Sequence, residues 1–175
     1  GVMIFGAFAL LGIAAIASAN DWPTYGRDAG GMRHSPLTVV TPENVGGLRE
    51  AWVYHMRPAA AAAATEAAAQ VAVEEAQRRA ENVAPRRRGN SRYNPSQATP
   101  LVVGGRMFLS TPYRRVVALE PETGRELWAY EVAGPGQPSL RGVEYWPGDA
   151  RHAPRILFGT RDGRLIALDA ATGIP

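Results

Sequence analysis

The chain has no cysteine and no lysine among its 175 residues. Without cysteine there is no disulfide framework, no thiolate metal site and no thioether-linked haem within this segment. All 19 basic residues are arginine and the formal charge is only +3. A nucleic-acid-binding face would cluster basic and aromatic residues. The one tight basic run, Arg86-Arg87-Arg88 followed by Arg92, adjoins a low-complexity stretch and reads as a solvated face. No nucleic-acid partner is expected. The three histidines, His34, His55 and His152, are scattered and lack the spacing of a zinc site. No nucleophile elbow or phosphate-binding loop is present, because "GPGQPSLRG" lacks the strand-to-helix context of a dinucleotide loop.

Charge is absent from residues 1–19, "GVMIFGAFALLGIAAIASA". An apolar run ending in Ala17-Ser18-Ala19 has the form of a secretory signal with an A-x-A cleavage site. Its length also approaches that of a membrane anchor. Either reading places the rest of the chain outside the cytoplasm, with periplasmic localisation and membrane association through this segment as the expectations. No initiator Met or basic segment precedes the run, so the chain reads as a fragment.

Residues 20–57 form a lead-in rich in Pro and Gly. Within it, "TPENVGGL" predicts a helical turn with Thr41 as its N-cap. The alternating stretch Leu48 to Met56, "LREAWVYHM", predicts a first strand. Residues 58–92 differ in kind. Between Pro58 and Pro85 lie strong helix formers with almost no large apolar residues. This Ala/Arg-rich stretch reads as a helical insertion that buries little against a core.

From residue 93 to 175 the pattern is β. Short alternating runs at Gln97 to Val103, Arg106 to Thr111, Arg115 to Glu120 and Arg125 to Val132 are separated by turn residues, the signature of a meandering antiparallel sheet. A shift of 49 residues superposes 106–124 on 155–173 with seven identities in nineteen positions and no gap. A four-stranded unit repeating near 50 residues indicates an all-β β-propeller. The present residues supply its first two blades, the second incomplete. In "ALEPETGRELW" and "ALDAATG", Glu120 and Asp169 are expected to accept backbone N–H groups inside the turn. Gly124 and Gly173 are expected to take positive φ. Trp128 is expected to dock on the second blade's turn, near Ala167 to Gly173. By the same period, Trp128's counterpart would be residue 177, so the second blade is expected to lack its outermost strand.

The turn with its tryptophan resembles the docking motif of pyrroloquinoline quinone (PQQ)-dependent dehydrogenases, eight-bladed quinoproteins. "DWPTYGRDAGGMRHSPL", "ENVGGLREAWVYHM", "ATPLVVGGRMFLSTPYRRVVALEPETG", "RGVEYWPGD" and "RILFGTRDGRLIALDAATG" resemble that family too. The resemblance covers residues 21–56 and 93–175 and leaves the helical insertion outside. It implies PQQ and Ca²⁺ as cofactors. It also implies oxidation of a sugar or alcohol CH–OH, with electrons passed to a quinone or cytochrome. By resemblance, Arg141 contacts the cofactor's carboxylate and quinone edge, and Thr160 reaches a cofactor carboxylate. Gln97 stands where many members carry a glutamate. The proton-accepting aspartate and the calcium ligands come from later blades in the family, so no catalytic residue and no metal ligand is assigned here. Alcohol-oxidising members carry adjacent cysteines before the arginine. Here that stretch is "GPGQPSLRG", as in membrane glucose dehydrogenases, which lack the pair and use a histidine near the position of Gln137 or Pro138. The resemblance therefore tilts toward the glucose-dehydrogenase branch. A non-catalytic propeller serving as an envelope assembly or binding scaffold shares the turn, but does not need "RGVEYWPGD" or the lead-in.

Overall fold

The structure is a computed structural model of the chain, and it describes residues 20–58, Gln70 and 95–175. The apolar run at 1–19 and nearly all of the helical insertion at 58–92 lie outside the described residues. Among the described residues, no helix is long and apolar enough to cross a membrane.

Among the described residues, seven strands form two antiparallel sheets. The first contains β1 (Leu101–Val103), β2 (Arg106–Ser110), β3 (Arg115–Leu119) and β4 (Glu126–Glu131), in sequential order. The second contains β5 (Glu144–Trp146), β6 (Arg155–Gly159) and β7 (Leu165–Asp169), also in order. Short turns join β1 to β2, β2 to β3, β3 to β4 and β6 to β7, as the turn residues predict, while longer connections lead from β4 to β5 and from β5 to β6. At the β1–β2 corner, Gly104 and Gly105 have φ of 56° and 72°, values that a Cβ opposes.

The pleat sends alternate side chains of the first sheet into two separate clusters. Phe108, Val116 and Ala118 face the second sheet and pack with its Ile156, Phe158 and Leu168. Leu109, Val117 and Leu119 face the other way, onto Trp52, Tyr54 and Met56 of the lead-in. A one-residue slip in β3 would exchange the two faces, so burial on both sides fixes its register.

The lead-in corrects two expectations. Residues 48–56 form no strand. Their alternation is real, since Trp52, Tyr54 and Met56 are partly buried while Val53 and His55 are exposed. The segment lies on the face of the first sheet, so no neighbouring strand supplies a ladder. The helical turn exists as a 3-10 helix at Val45–Gly47, but Thr41 does not cap it. Instead the Asn44 side chain accepts the Thr41 N–H at 2.8 Å. Tyr54 fastens the lead-in by donating its hydroxyl hydrogen to Glu126 at 2.6 Å, while Arg115 pairs with the same carboxylate at 2.8 Å. Burial, and then the neighbouring Glu126, push the Tyr54 phenol up to about 12.

Trp128 docks as expected. Its Nε1–H donates to the Ala170 carbonyl at 3.2 Å, and its ring lies over Gly173, where a Cβ would sit 2.7 Å from the indole. The ring is half-buried and also meets Phe108, with centroids 5.9 Å apart. Trp52 repeats the arrangement one unit earlier. Its Nε1–H donates to the Pro121 carbonyl at 3.0 Å, and a Cβ on Gly124 would sit 2.4 Å from its ring. Pro121 and Ala170 are equivalent under the shift of 49, so both indoles use the same carbonyl of the repeat. Sequence reading missed Trp52 because it precedes Trp128 by 76 positions, 27 more than the repeat. The echo of Arg49-Glu50-Ala51-Trp52 in Arg125-Glu126-Leu127-Trp128 was the available signal.

The acidic residues of the two turns behave differently. Asp169 accepts the N–H groups of Ala171 and Thr172 at 3.0 and 2.9 Å, as expected. Glu120 does not cap backbone. Its carboxylate takes the Thr123 hydroxyl at 2.5 Å and the Arg125 guanidinium at 3.0 Å. One extra methylene carries the Glu120 oxygens past the N–H groups that the shorter Asp169 reaches. Both carboxyls are held below their usual range, by the threonine hydroxyl first in each case.

Two predictions follow from the docking and the turn, both for the complete protein. Gly173 has φ of 73° and lies under the indole. Gly173→Ala is expected to destabilise by about 1–3 kcal/mol. Combined with Trp128→Ala, it should cost less than the two single changes added, because the clash is gone; strict additivity in denaturant unfolding would contradict the docking. The second concerns acid. The folded pKa of Asp169 lies below its ordinary value of 3.8. The turn's acid-linked stability is therefore present above that value and is lost as pH falls through the lower folded one. Asp169→Asn keeps an acceptor oxygen but not the charge, so melting temperature should be lower than wild type near neutrality and converge on it below about pH 4. Parallel melting curves below that pH would refute the assignment.

Candidate functional site

The connection from β4 to β5 runs between the two sheets, and residues 137–142 are fastened to both. On the second sheet, Pro138 bridges to Thr160, the Ser139 N–H donates to the Gly159 carbonyl at 2.9 Å, and the Arg161 N–H donates to the Gln137 carbonyl at 2.9 Å. On the first sheet, the buried Ser110 hydroxyl donates to the Ser139 carbonyl at 2.6 Å. The segment entering β1 closes the third side. The Gln97 N–H donates to the Leu140 carbonyl at 3.2 Å, and a Cβ on Gly142 would lie 3.3 Å from the Thr99 carbonyl oxygen. Irregular backbone can stay buried between two sheets only if its polar groups find partners, and this loop finds them on every side.

Gln97, Arg141 and Thr160 are 63 residues apart at their extremes, and all three border this loop. Arg141 is exposed, and its N–H donates to the Ser139 hydroxyl at 3.2 Å. Its guanidinium has no hydrogen bond or ion pair among the described residues. The Gln97 side chain is likewise exposed and without a partner among the described residues.

Thr160 is different. Its hydroxyl donates to Asp162 at 2.5 Å and accepts the Arg164 N–H at 3.0 Å. Asp162 in turn pairs with Arg164 at 2.9 Å. The Thr160 hydroxyl, then Arg164, holds the Asp162 carboxyl below its usual range. Thr111, the equivalent position in the first sheet, also accepts the N–H four residues on, that of Arg115, at 3.3 Å. The shared threonine therefore closes the turn between the second and third strands of each unit. Gly136 packs on the Asp162–Arg164 pair so closely that a Cβ would lie 2.5 Å from both side chains. The stretch before Arg141 thus has no room for a larger residue at that point.

The geometry unites a free cation, an amide and a hydroxyl along one loop held between two sheets. An arginine fork can donate two parallel hydrogen bonds to one carboxylate. The family description "Glucose/ethanol/alcohol dehydrogenase, beta-propeller domain", a PQQ family, matches residues 22–175. The chain belongs to this family.

Its relatives cover several substrates. The chain is 34% identical over 162 residues to the alcohol dehydrogenase (quinone) dehydrogenase subunit of Gluconobacter oxydans, covering 88% of this chain and 16% of that one. It is 30% identical to the quinoprotein glucose dehydrogenase of Escherichia coli, covering 88% of this chain and 18% of that one. The crystal structure of the quinohemoprotein alcohol dehydrogenase from Comamonas testosteroni matches with a TM-score of 0.60 at 29% identity, covering 89% of this chain and 18% of that one. The chain therefore spans about a sixth to a fifth of the length of these relatives. Two of the blades of the quinoprotein β-propeller are seen here, the second with three strands among the described residues. Alcohol and glucose enzymes match at similar identity, so likeness alone does not single out a substrate. No group of three or more His, Asp or Glu among the described residues could hold a metal ion.

The turn-closing role of Thr160 can be measured separately. Thr160→Val removes the partner of Asp162 and of the Arg164 N–H, and is expected to destabilise the complete quinoprotein by about 1–2 kcal/mol. Unchanged denaturant unfolding would show that these bonds contribute nothing.

Proposed function

We propose that the chain is the N-terminal part of a PQQ-dependent dehydrogenase that oxidises a sugar or alcohol CH–OH group in the periplasm and passes electrons to a quinone or cytochrome. The observation that carries this reading is the unpartnered guanidinium of Arg141 on a loop whose backbone is already satisfied. A cation whose backbone is held, and whose guanidinium has no partner among the described residues, can take a carboxylate without breaking a bond. PQQ is a flat tricarboxylate quinone, and bound PQQ would supply the two-electron acceptor. Arg141 would bind a carboxylate or the quinone edge as a fork. Gln97 would donate its amide N–H at the same edge, in place of the charge a glutamate would bring. Thr160 fits less freely, since its hydroxyl hydrogen is engaged by Asp162 and would have to be released.

Calcium, acting as a Lewis acid, and the carboxylate that takes the substrate hydroxyl proton belong in this reading to other parts of the complete protein. The absence of cysteine at 134–142 and the tight seat of Gly136 favour a glucose-dehydrogenase-like site over one covered by a vicinal disulfide. The apolar run at 1–19 supports export, with membrane association through that segment.

The test is PQQ reconstitution of the complete apo-enzyme. Arg141→Ala is expected to raise the half-saturating PQQ concentration at least a hundredfold, since bound PQQ would bury the pair and removing one partner of a buried charge pair costs roughly 3–5 kcal/mol. An unchanged half-saturation would remove Arg141 from the site and this reading with it.

A further inference from the structure

We propose that Ser110, a buried strand residue of the first blade, is a positioning residue for Arg141 and acts through Ser139. The inference rests on the reading that Arg141 binds PQQ. Ser110 ends β2 and is 1% exposed. Its hydroxyl donates to the Ser139 carbonyl at 2.6 Å. The N–H of Ser139 donates to the Gly159 carbonyl at 2.9 Å, and its own hydroxyl accepts the Arg141 N–H at 3.2 Å. Ser139 is thus held by a side chain of one blade and by the backbone of the next, and it holds the arginine.

The two grips come from the same place in the repeat. Ser110 and Gly159 are equivalent under the shift of 49. Each ends the second strand of the first and second sheets respectively. The first blade grips Ser139 with a hydroxyl, the second with a carbonyl. The Cα of Arg141 is therefore located by the junction between blades and by neither blade alone. Ser110 touches no proposed ligand atom. Its contribution is to fix where the arginine fork starts, and a binding group held to a small positional tolerance depends on such supporting bonds.

The experiment is a double-mutant cycle on the complete apo-protein, read as PQQ affinity by quenching of tryptophan fluorescence, with thermal unfolding measured alongside. Ser110→Ala is expected to weaken PQQ binding about three- to tenfold, the effect of one lost hydrogen bond. Arg141→Ala weakens it far more. The double variant should bind no worse than Arg141→Ala alone, because Ser110 acts only through the arginine. If Ser110→Ala does not fold, Ser139→Ala, which removes only the hydroxyl acceptor of the Arg141 N–H, enters the same cycle with the same expectation. Unchanged affinity in Ser110→Ala, or losses that multiply in the double variant, would overturn the positioning role while leaving the PQQ reading intact. Unchanged affinity in Arg141→Ala would instead overturn the PQQ reading itself.

Discussion

An indole lying on a glycine at positive φ holds this structure together. The glycine supplies a floor without a Cβ, and the carbonyl three residues before it accepts the indole N–H. Both conditions are met twice, by Trp52 on Gly124 and by Trp128 on Gly173. A tryptophan buries on the order of 200 Å² when fully enclosed. Its hydrogen bond adds direction, since the ring can satisfy its N–H only in one register of the neighbouring turn. Apolar contact alone would let one sheet slide on the next, and the paired floor and acceptor prevent it.

Everything at the candidate site depends on that stacking. The loop at 137–142 has no regular structure and borrows its hydrogen-bond partners from Ser110, Gly159, Arg161 and Gln97. Those partners stand in the right places only when the two sheets are docked. The site is consequently a property of the pair of blades. This explains how residues as remote in sequence as Gln97 and Thr160 come to border one loop, and why an arginine there can be left with its guanidinium free.

The repeat also shows what equivalent residues do when their surroundings differ. Thr111 and Thr160 close the same turn, although Thr111 is buried and Thr160 reaches the edge of the loop. Ser110 and Gly159 hold the same residue, Ser139, by different chemistry. Glu120 and Asp169 occupy one position, yet only the shorter side chain caps the backbone. A repeated residue type marks a shared structural task first. The proposed binding residue Arg141 lies outside the repeated 106–124 and 155–173 stretches.

Much of the fold was legible in the sequence because strands and turns are local. Alternation and paired glycines located β1 to β4, and the period of 49 located β6, β7 and the seat of Trp128 but not β5. Arg141 was legible only through likeness to a family, because a lone arginine in an irregular loop carries no pattern of its own. Three features were decided by tertiary structure alone. Residues 48–56 have the alternation of a strand but lie face-on, and alternation records which side chains are buried, not whether a ladder partner stands alongside. Trp52 docks like Trp128, although a 27-residue offset hides it from the repeat. The Ser110–Ser139–Arg141 relay exists only because two sheets meet there. Local sequence sets backbone preference and the face each side chain takes; which distant carbonyl or hydroxyl meets it is settled by how the sheets stack.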